Sequence, residues 1–167
     1  MRMGLLRASC APFSQDEWTA SRHLDSEAED VLTALTYTDA IADWAPVHFE
    51  VDGMAGGQLA AGSRERVTGS LAGIAVAFQV EVERADLDGL ELTAEGPLTL
   101  KVSYRFIEDE YGVLVRATVR ICQPRGLSAL ILRAAVAAAL NGRVLDSALS
   151  RLEASLPCRE TPVLLAA

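Results

Sequence analysis

The sequence has few of the side chains that most often perform chemistry. Its 167 residues include two histidines, a single lysine and 5% aromatic residues. His23 and His48 lack neighbours at metal-ligand spacing, so we expect no metal site. A Schiff-base mechanism would depend on Lys101, which falls on the polar side of a predicted strand. There is also no Gly-x-Ser-x-Gly elbow, phosphate loop or dinucleotide motif, so we expect no cofactor.

Positive charge is also scarce. The formal net charge is -8, and the basic residues are spread singly or in pairs along the chain. Nucleic acid and anionic membrane surfaces attract clustered positive charge, so neither is an expected partner. The richest apolar stretch, Leu127 to Leu140, is interrupted by Ser128 and Arg133 and is shorter than the roughly 20 residues of a membrane-spanning helix. We therefore expect no stable membrane insertion, and a monomer or a homodimer.

Cysteine is rare and unpaired in number. Cys10, Cys122 and Cys158 are far apart in the sequence, so we predict neither a disulfide framework nor a thiolate zinc site. This pattern favours a reducing cytoplasm. Residues 1–14 lack the apolar core of a secretion signal, and we interpret them as an N-terminal extension. Residues 15–157 are then predicted to form one domain, followed by a tail at residues 158–167.

The first third of the chain alternates between strand and helix patterns. Glu17 to Leu24 is predicted as a strand. Ser26 and Glu29 have the spacing of a capping box, which predicts a helix from Ser26 to Leu35. A second short helix at residues 38–43 is followed by a strand at residues 47–51. The glycine-rich stretch of residues 52–62 is predicted as a loop or irregular edge.

Five further segments alternate apolar and polar residues, as strands with one buried face do. They are Arg64–Leu71, Ile74–Glu83, Leu90–Ala94, Leu98–Phe106 and Val113–Ile121. After Pro124 and Gly126 the period becomes helical and continues to Leu156, which predicts one helix of about thirty residues and roughly 45 Å. The predicted fold is α+β: a curved seven-stranded antiparallel sheet wraps around this long helix, with two short helices between strands 1 and 2.

This order of elements resembles the helix-grip superfamily that includes START domains, polyketide cyclases and lipid-transfer proteins. The resemblance covers about Trp18 to Leu156. It includes the capped helix, the Trp44-Ala45-Pro46 junction, the stretch ending in Gly62-Ser63-Arg64 and the final helix. It implies a cavity between sheet and helix that holds a small hydrophobic ligand, from lipids to aromatic polyketides. Many members are carriers or receptors and others are cyclases, so the resemblance does not imply a single reaction.

The predicted ligand-binding residues lie on the concave side of the sheet and on the final helix. Phe49, Phe78, Leu92, Val102 and Tyr104 are placed on the inner strand faces. The Tyr104 hydroxyl is either an anchor for a polar end of the ligand or a group that reaches water at the sheet rim. Trp44 either closes the mouth of the cavity or fixes the junction between helix and strand.

The small residues of the long helix suggest where space is left. Its predicted sheet-facing stripe runs through Ile131, Ala134, Ala138 and Gly142. Gly142 inside a helix indicates a close approach to the backbone, by a ligand or by the sheet itself. Asn141 either offers a hydrogen bond into the cavity or is an exposed residue at a kink.

Arg64 and Arg66 lie on the weakest strand pattern. A shift of one residue in register would turn both inward, where they would hold an anionic head group.

Two functions remain open on this basis. The first is a carrier or binding protein, because no acid, base and nucleophile cluster is present. The second is a cofactor-free cyclase, dehydratase or isomerase that uses the same cavity. A third interpretation is a tightly packed protein that acts through a partner surface, in which case no internal cavity would exist.

Overall fold

The computed structural model describes residues 16–46, 48–52, 57–71, 73–122 and 127–157. The predicted N-terminal extension and C-terminal tail lie outside the described residues. The elements in chain order are β1 (Glu17–Leu24), α1 (Ala28–Thr36), α2 (Thr38–Trp44), β2 (Phe49–Val51), β3 (Arg64–Leu71), β4 (Ile74–Asp86), β5 (Gly89–Glu95), β6 (Thr99–Asp109), β7 (Gly112–Cys122), α3 (Leu127–Asn141) and α4 (Val144–Ser155).

The strands form one antiparallel sheet in the order β1-β7-β6-β5-β4-β3-β2. The predicted curved seven-stranded sheet, with two short helices after its first strand, is confirmed. Alternation sets its two faces: along β4, Val76, Phe78, Val80 and Val82 are buried while Gln79 is exposed. The buried face is the concave one, because the helices pack against it.

The first two helices close one end of the sheet. Helix α1 begins at Ala28 rather than Ser26, and its N-cap residue Glu27 makes no side-chain capping hydrogen bond, so the predicted capping box is wrong. The Ala28 N–H donates to a carboxylate oxygen of Glu108 at 3.2 Å. The Ser26 hydroxyl instead lies 3.5 Å from a carboxylate oxygen of Asp30. The buried Trp44, at the end of α2, donates its indole N–H to the carbonyl of Ala34 at 2.9 Å. This hydrogen bond ties α2 to α1.

The predicted long C-terminal helix is interrupted. Helix α3 ends at Asn141 and α4 begins at Val144, so a single continuous helix is the wrong prediction. Arg143 has φ 65, in the left-handed region. The Gly142 N–H still bonds to the carbonyls of Ala138 and Ala139, at 3.0 and 3.1 Å, as happens where a helix ends in a tight final turn.

The two helices bury different faces. In α4, Leu145, Leu149 and Leu152 are buried as predicted. In α3, the predicted stripe is wrong because Ile131 is 65% exposed, while Leu132 is 2% exposed. The buried stripe of α3 is displaced by one residue and consists of Ala129, Leu132 and Val136.

The buried residues form two hydrophobic clusters. One joins β1, β7, α1 and α4, and the other joins β4, β5 and α3. Leu92 and Leu100 pack against both clusters. The concave face is therefore filled at its two ends by different helices.

Cys122 bears on the predicted location. Cys122, at the end of β7, is disulfide-bonded, so the prediction of no disulfide is wrong at this residue. Cys10 and Cys158 lie outside the described residues. The assignment to the cytoplasm loses the support of free thiols and stays a prediction. None of the described helices is long and apolar enough to cross a membrane.

Candidate functional site: an apolar cavity under the sheet

A cavity of about 790 Å³ lies between the concave face of the sheet and the helices. This volume falls within the range of about 300–1,000 Å³ that is usual for small-molecule sites. Strands β3 to β7 supply one wall, and α1, α2, β2 and the two C-terminal helices supply the others. Phe49 and Asp39 are solvent-exposed and mark its opening. Residues of both hydrophobic clusters line it, among them Leu90, Trp44, Phe78, Val80, Ala94 and Val136.

Six of the predicted site residues line this cavity: Trp44, Phe49, Phe78, Leu92, Val102 and Tyr104. Alternation along β6 directs Val102 and Tyr104 to one face. Val102 stands opposite Leu92 of β5, and Leu92 stands opposite Val82, which shares a face of β4 with Phe78. Glycines make room for the two phenylalanine rings. A Cβ atom at Gly69 would lie 2.5 Å from the Phe49 ring, and one at Gly96 would lie 2.7 Å from the Phe78 ring. Glycine at these two positions lets the rings lie flat on the sheet.

Tyr104 is the polar group of the sheet wall. Its ring meets that of Trp44 edge to face, with a centroid distance of 6.4 Å and an interplanar angle of 82°. Its hydroxyl has no hydrogen-bond partner among the described residues. Burial raises the pKa of Tyr104 to about 12, because a phenolate would be poorly solvated there. At neutral pH the hydroxyl is therefore protonated and able to donate a hydrogen bond.

Trp44 has a structural position inside the wall. It is 7% exposed, which does not fit the predicted lid at the cavity mouth. Its hydrogen bond to Ala34 and its contact with Tyr104 instead support the alternative, in which it fixes the helix junction. Because its ring also lines the cavity, it links the position of α2 to the shape of the site.

Arg64 and Arg66 do not face the cavity. Arg64 pairs with Glu81 of β4 at 3.1 Å, and Arg66 pairs with Asp52 at 3.4 Å. Their side chains are 58% and 65% exposed. Of the two registers that the sequence leaves open, the inward one does not occur, because Val67, the next residue along β3, lines the cavity, which places both arginines on the outer face.

Three predicted residues of α3 and its end also lie outside the cavity wall. Ala138 is exposed. The Asn141 amide oxygen accepts a hydrogen bond from the Trp18 indole at 2.7 Å. A Cβ atom on Gly142 would meet only carbonyl oxygens of the preceding helical turn, at 3.3 Å or more, so no strand among the described residues approaches it. Asn141 and Gly142 mark the helix end, and Ala138 faces away.

The residues that replace them are Val136, Ala139 and Leu140. Leu132, Val136 and Leu140 are spaced by four, as a helix face requires, so the signal was present in the sequence. It was obscured because α3 is apolar on nearly every side, with Leu130 and Ile131 both exposed.

The charged and titratable groups of the cavity are few. In the described lining they are Asp39, Glu50 and Tyr104, with no histidine, cysteine, lysine or arginine. No group of three metal-ligating side chains occurs within the described ranges. The cavity can therefore enclose an apolar body and offer it one phenolic hydrogen bond.

The architecture matches solved structures of low sequence identity. A protein from Thermus thermophilus is 22% identical, with a TM-score of 0.63 over 83% of this chain and 95% of that chain. A START superfamily protein from Mycobacterium smegmatis is 12% identical, with a TM-score of 0.59 and the same coverage, 83% and 95%. DynU16, from the dynemicin biosynthetic locus, is 17% identical with a TM-score of 0.57, over 84% of this chain and 46% of that chain.

Comparison with family models and with curated protein sequences finds no match. The three structures each cover 83% or 84% of this chain. The chain has the helix-grip fold that the order of its elements predicts. At these identities the likeness is one of fold.

Proposed function

We propose that this protein binds a small hydrophobic ligand in the cavity beneath its sheet, as a carrier or binding protein. The observation that supports this most directly is the cavity itself, about 790 Å³ in volume and lined by apolar side chains on every described element that borders it. Protein interiors are otherwise close-packed, with few voids larger than a water molecule. A hollow of this size at the centre of the fold is accounted for by an occupant.

The energetics favour an apolar occupant. Burying about 300 Å² of a ligand's apolar surface contributes roughly 7 kcal/mol before the cost of association. Polar side chains contribute little to this wall, since most of the lining residues are aliphatic or aromatic. The Tyr104 hydroxyl adds an orienting contact for one polar atom of the ligand.

A cofactor-free cyclase or dehydratase is the second candidate. It is favoured by the Tyr104 hydroxyl, the group in the described lining best placed to donate a hydrogen bond to a carbonyl, and by the likeness to DynU16 of a biosynthetic locus. Binding remains our first proposal because a pKa of about 12 is far from the value near the working pH that suits general acid–base catalysis. Turnover that is lost in Tyr104→Phe while ligand binding persists would favour the enzyme.

Native mass spectrometry of the purified protein tests the proposed function. We expect a co-purified apolar molecule, or binding from a panel of hydrophobic compounds. The variant Val102→Trp places a large ring in the cavity and should abolish binding, whereas Ser103→Trp, on the outer face of the same strand, should retain it. A wild-type protein that carries and binds nothing, or a Val102→Trp variant that is folded and binds normally, would contradict the proposal.

A further inference from the structure

The charges around the cavity restrict the kind of ligand that fits. Asp39 and Glu50 are the charged residues of the described lining, and both are exposed. Glu50 lies between Phe49 and Val51 on β2, which both line the cavity, so alternation turns its side chain to the other face. The enclosed part of the described wall is therefore without formal charge, and the charged residues of the described lining are acidic.

An anionic group in this cavity would have no cation to pair with in the described wall. The arginines nearest in sequence to the wall residue Val67 are Arg64 and Arg66, which form ion pairs on the outer face. Moving an ionised carboxylate into apolar surroundings without a partner is far less favourable than moving a neutral polar group.

The Tyr104 hydroxyl adds a requirement of the opposite kind. It lines the cavity, it has no hydrogen-bond partner among the described residues, and it is protonated at neutral pH. A hydroxyl donor that faces an apolar cavity is stabilised when a ligand acceptor satisfies it. Trp44 contacts the ring of Tyr104 edge to face, so the position of the ring that carries this donor is supported by the fold.

We propose that the cavity selects uncharged ligands that place a hydrogen-bond acceptor, such as a carbonyl oxygen, against the Tyr104 hydroxyl, and that it discriminates against carboxylates. This inference rests on the proposed function, because it concerns the ligand of the same cavity. It reverses the expectation of an anionic head group that inward-facing arginines would have supported.

Three naphthalenes of similar size test the selection: 2-acetylnaphthalene, 2-ethylnaphthalene and 2-naphthoate. Their dissociation constants are measured at pH 7.5 by calorimetry, on the wild type and on Tyr104→Phe. We expect 2-naphthoate to bind at least about tenfold more weakly than 2-acetylnaphthalene. Tyr104→Phe should weaken the acetyl compound about threefold to tenfold and leave the ethyl compound within about twofold. Tyr111→Phe, at a residue 71% exposed in the β6–β7 turn, should change none of the three.

The outcomes separate this inference from the proposed function. If Tyr104→Phe weakens the acetyl and ethyl compounds equally, Tyr104 only packs against the ligand and the inference is wrong. Tightest binding by 2-naphthoate would overturn it as well. Both of these results leave a ligand-binding cavity in place. If none of the three compounds binds and mass spectrometry detects no guest, the proposed function fails and the inference fails with it.

Discussion

The Trp44 ring stands edge-on to the Tyr104 ring, at a centroid distance of 6.4 Å and an angle of 82°. The contact joins helix α2 to strand β6 across the cavity wall. Trp44 is also hydrogen-bonded to Ala34 of α1. One side chain thus positions two helices and the phenol that faces the ligand space.

Removing this side chain should destabilise the whole domain. We expect Trp44→Leu to lower the free energy of unfolding by about 2–4 kcal/mol, because it removes buried area, a hydrogen bond and the aromatic contact. Trp44→Phe keeps a ring and should lose less. Urea unfolding followed by circular dichroism measures both. A Trp44→Leu variant as stable as the wild type would show that Trp44 does not support the junction.

Tyr104 makes stability depend on alkaline pH. Its pKa is raised from 10.0 to about 12 by burial, so the unfolded chain releases this proton at a lower pH than the folded protein does. The folded state therefore binds more protons between these values, and stability falls as pH rises from about 10 to about 12, by roughly 2–3 kcal/mol from this group. Below pH 10 the contribution is fully present.

The variant Tyr104→Phe isolates this effect. Urea unfolding at pH 9, 10.5 and 12 should show a smaller loss of stability in Tyr104→Phe than in the wild type. At pH 7 the variant should be within about 0.5 kcal/mol of the wild type or slightly more stable, since the hydroxyl has no partner among the described residues. Equal pH profiles for the two proteins would contradict a buried phenol.

The orientation of α3 predicts a contrast between adjacent residues. Leu132→Ala should cost about 2–4 kcal/mol because Leu132 is 2% exposed. Ile131→Ala should stay within about 0.5 kcal/mol because Ile131 is 65% exposed. Thermal unfolding distinguishes the two variants. The opposite order would restore the helix face that runs through Ile131, Ala134 and Ala138.

The helix break predicts opposite effects for the same substitution at two arginines. Arg143 is left-handed, with φ 65, a conformation that glycine adopts without steric cost, so Arg143→Gly should stabilise the protein by about 0.5–1 kcal/mol. Arg151 lies within α4 and is exposed, and Arg151→Gly should destabilise it by about 1 kcal/mol. Chemical denaturation of both variants supplies the measurement. Destabilisation by Arg143→Gly would mean that the guanidinium makes a needed contact.

The sequence predicted the sheet well because period-two alternation is a local property. Phe78, Val102 and Tyr104 were placed on the inner face by their own neighbours along each strand, and the structure finds them on the cavity wall. The sequence does not determine which face of the sheet Arg64 and Arg66 occupy, because their strand alternates weakly. Their orientation is fixed by cross-strand register, in which Arg64 stands opposite Glu81, and register is not a local property.

The C-terminal helices show a different limit. Where nearly every residue is apolar, as in α3, helical spacing fits more than one face, and tertiary packing decides between them. The break at Arg143 gave no signal either, because arginine is a good helix former and rarely left-handed. The hydrogen bonds of Trp44 to Ala34 and of Trp18 to Asn141 join residues distant in sequence, so neither spacing nor composition indicated them.

Because the C-terminal segment breaks at Arg143, the helical spacing of the buried residues in α3 does not continue into α4. Leu149 and Leu152 of α4 are 2% and 0% exposed in the hydrophobic core. Helix α3 instead supplies Val136 and Leu140 to the cavity wall. Substitutions at Val136 and Leu140 would change this part of the cavity wall while the buried leucines of α4 stay unaltered. The shape of the cavity can therefore change through α3 while the leucines that anchor α4 in the core are kept.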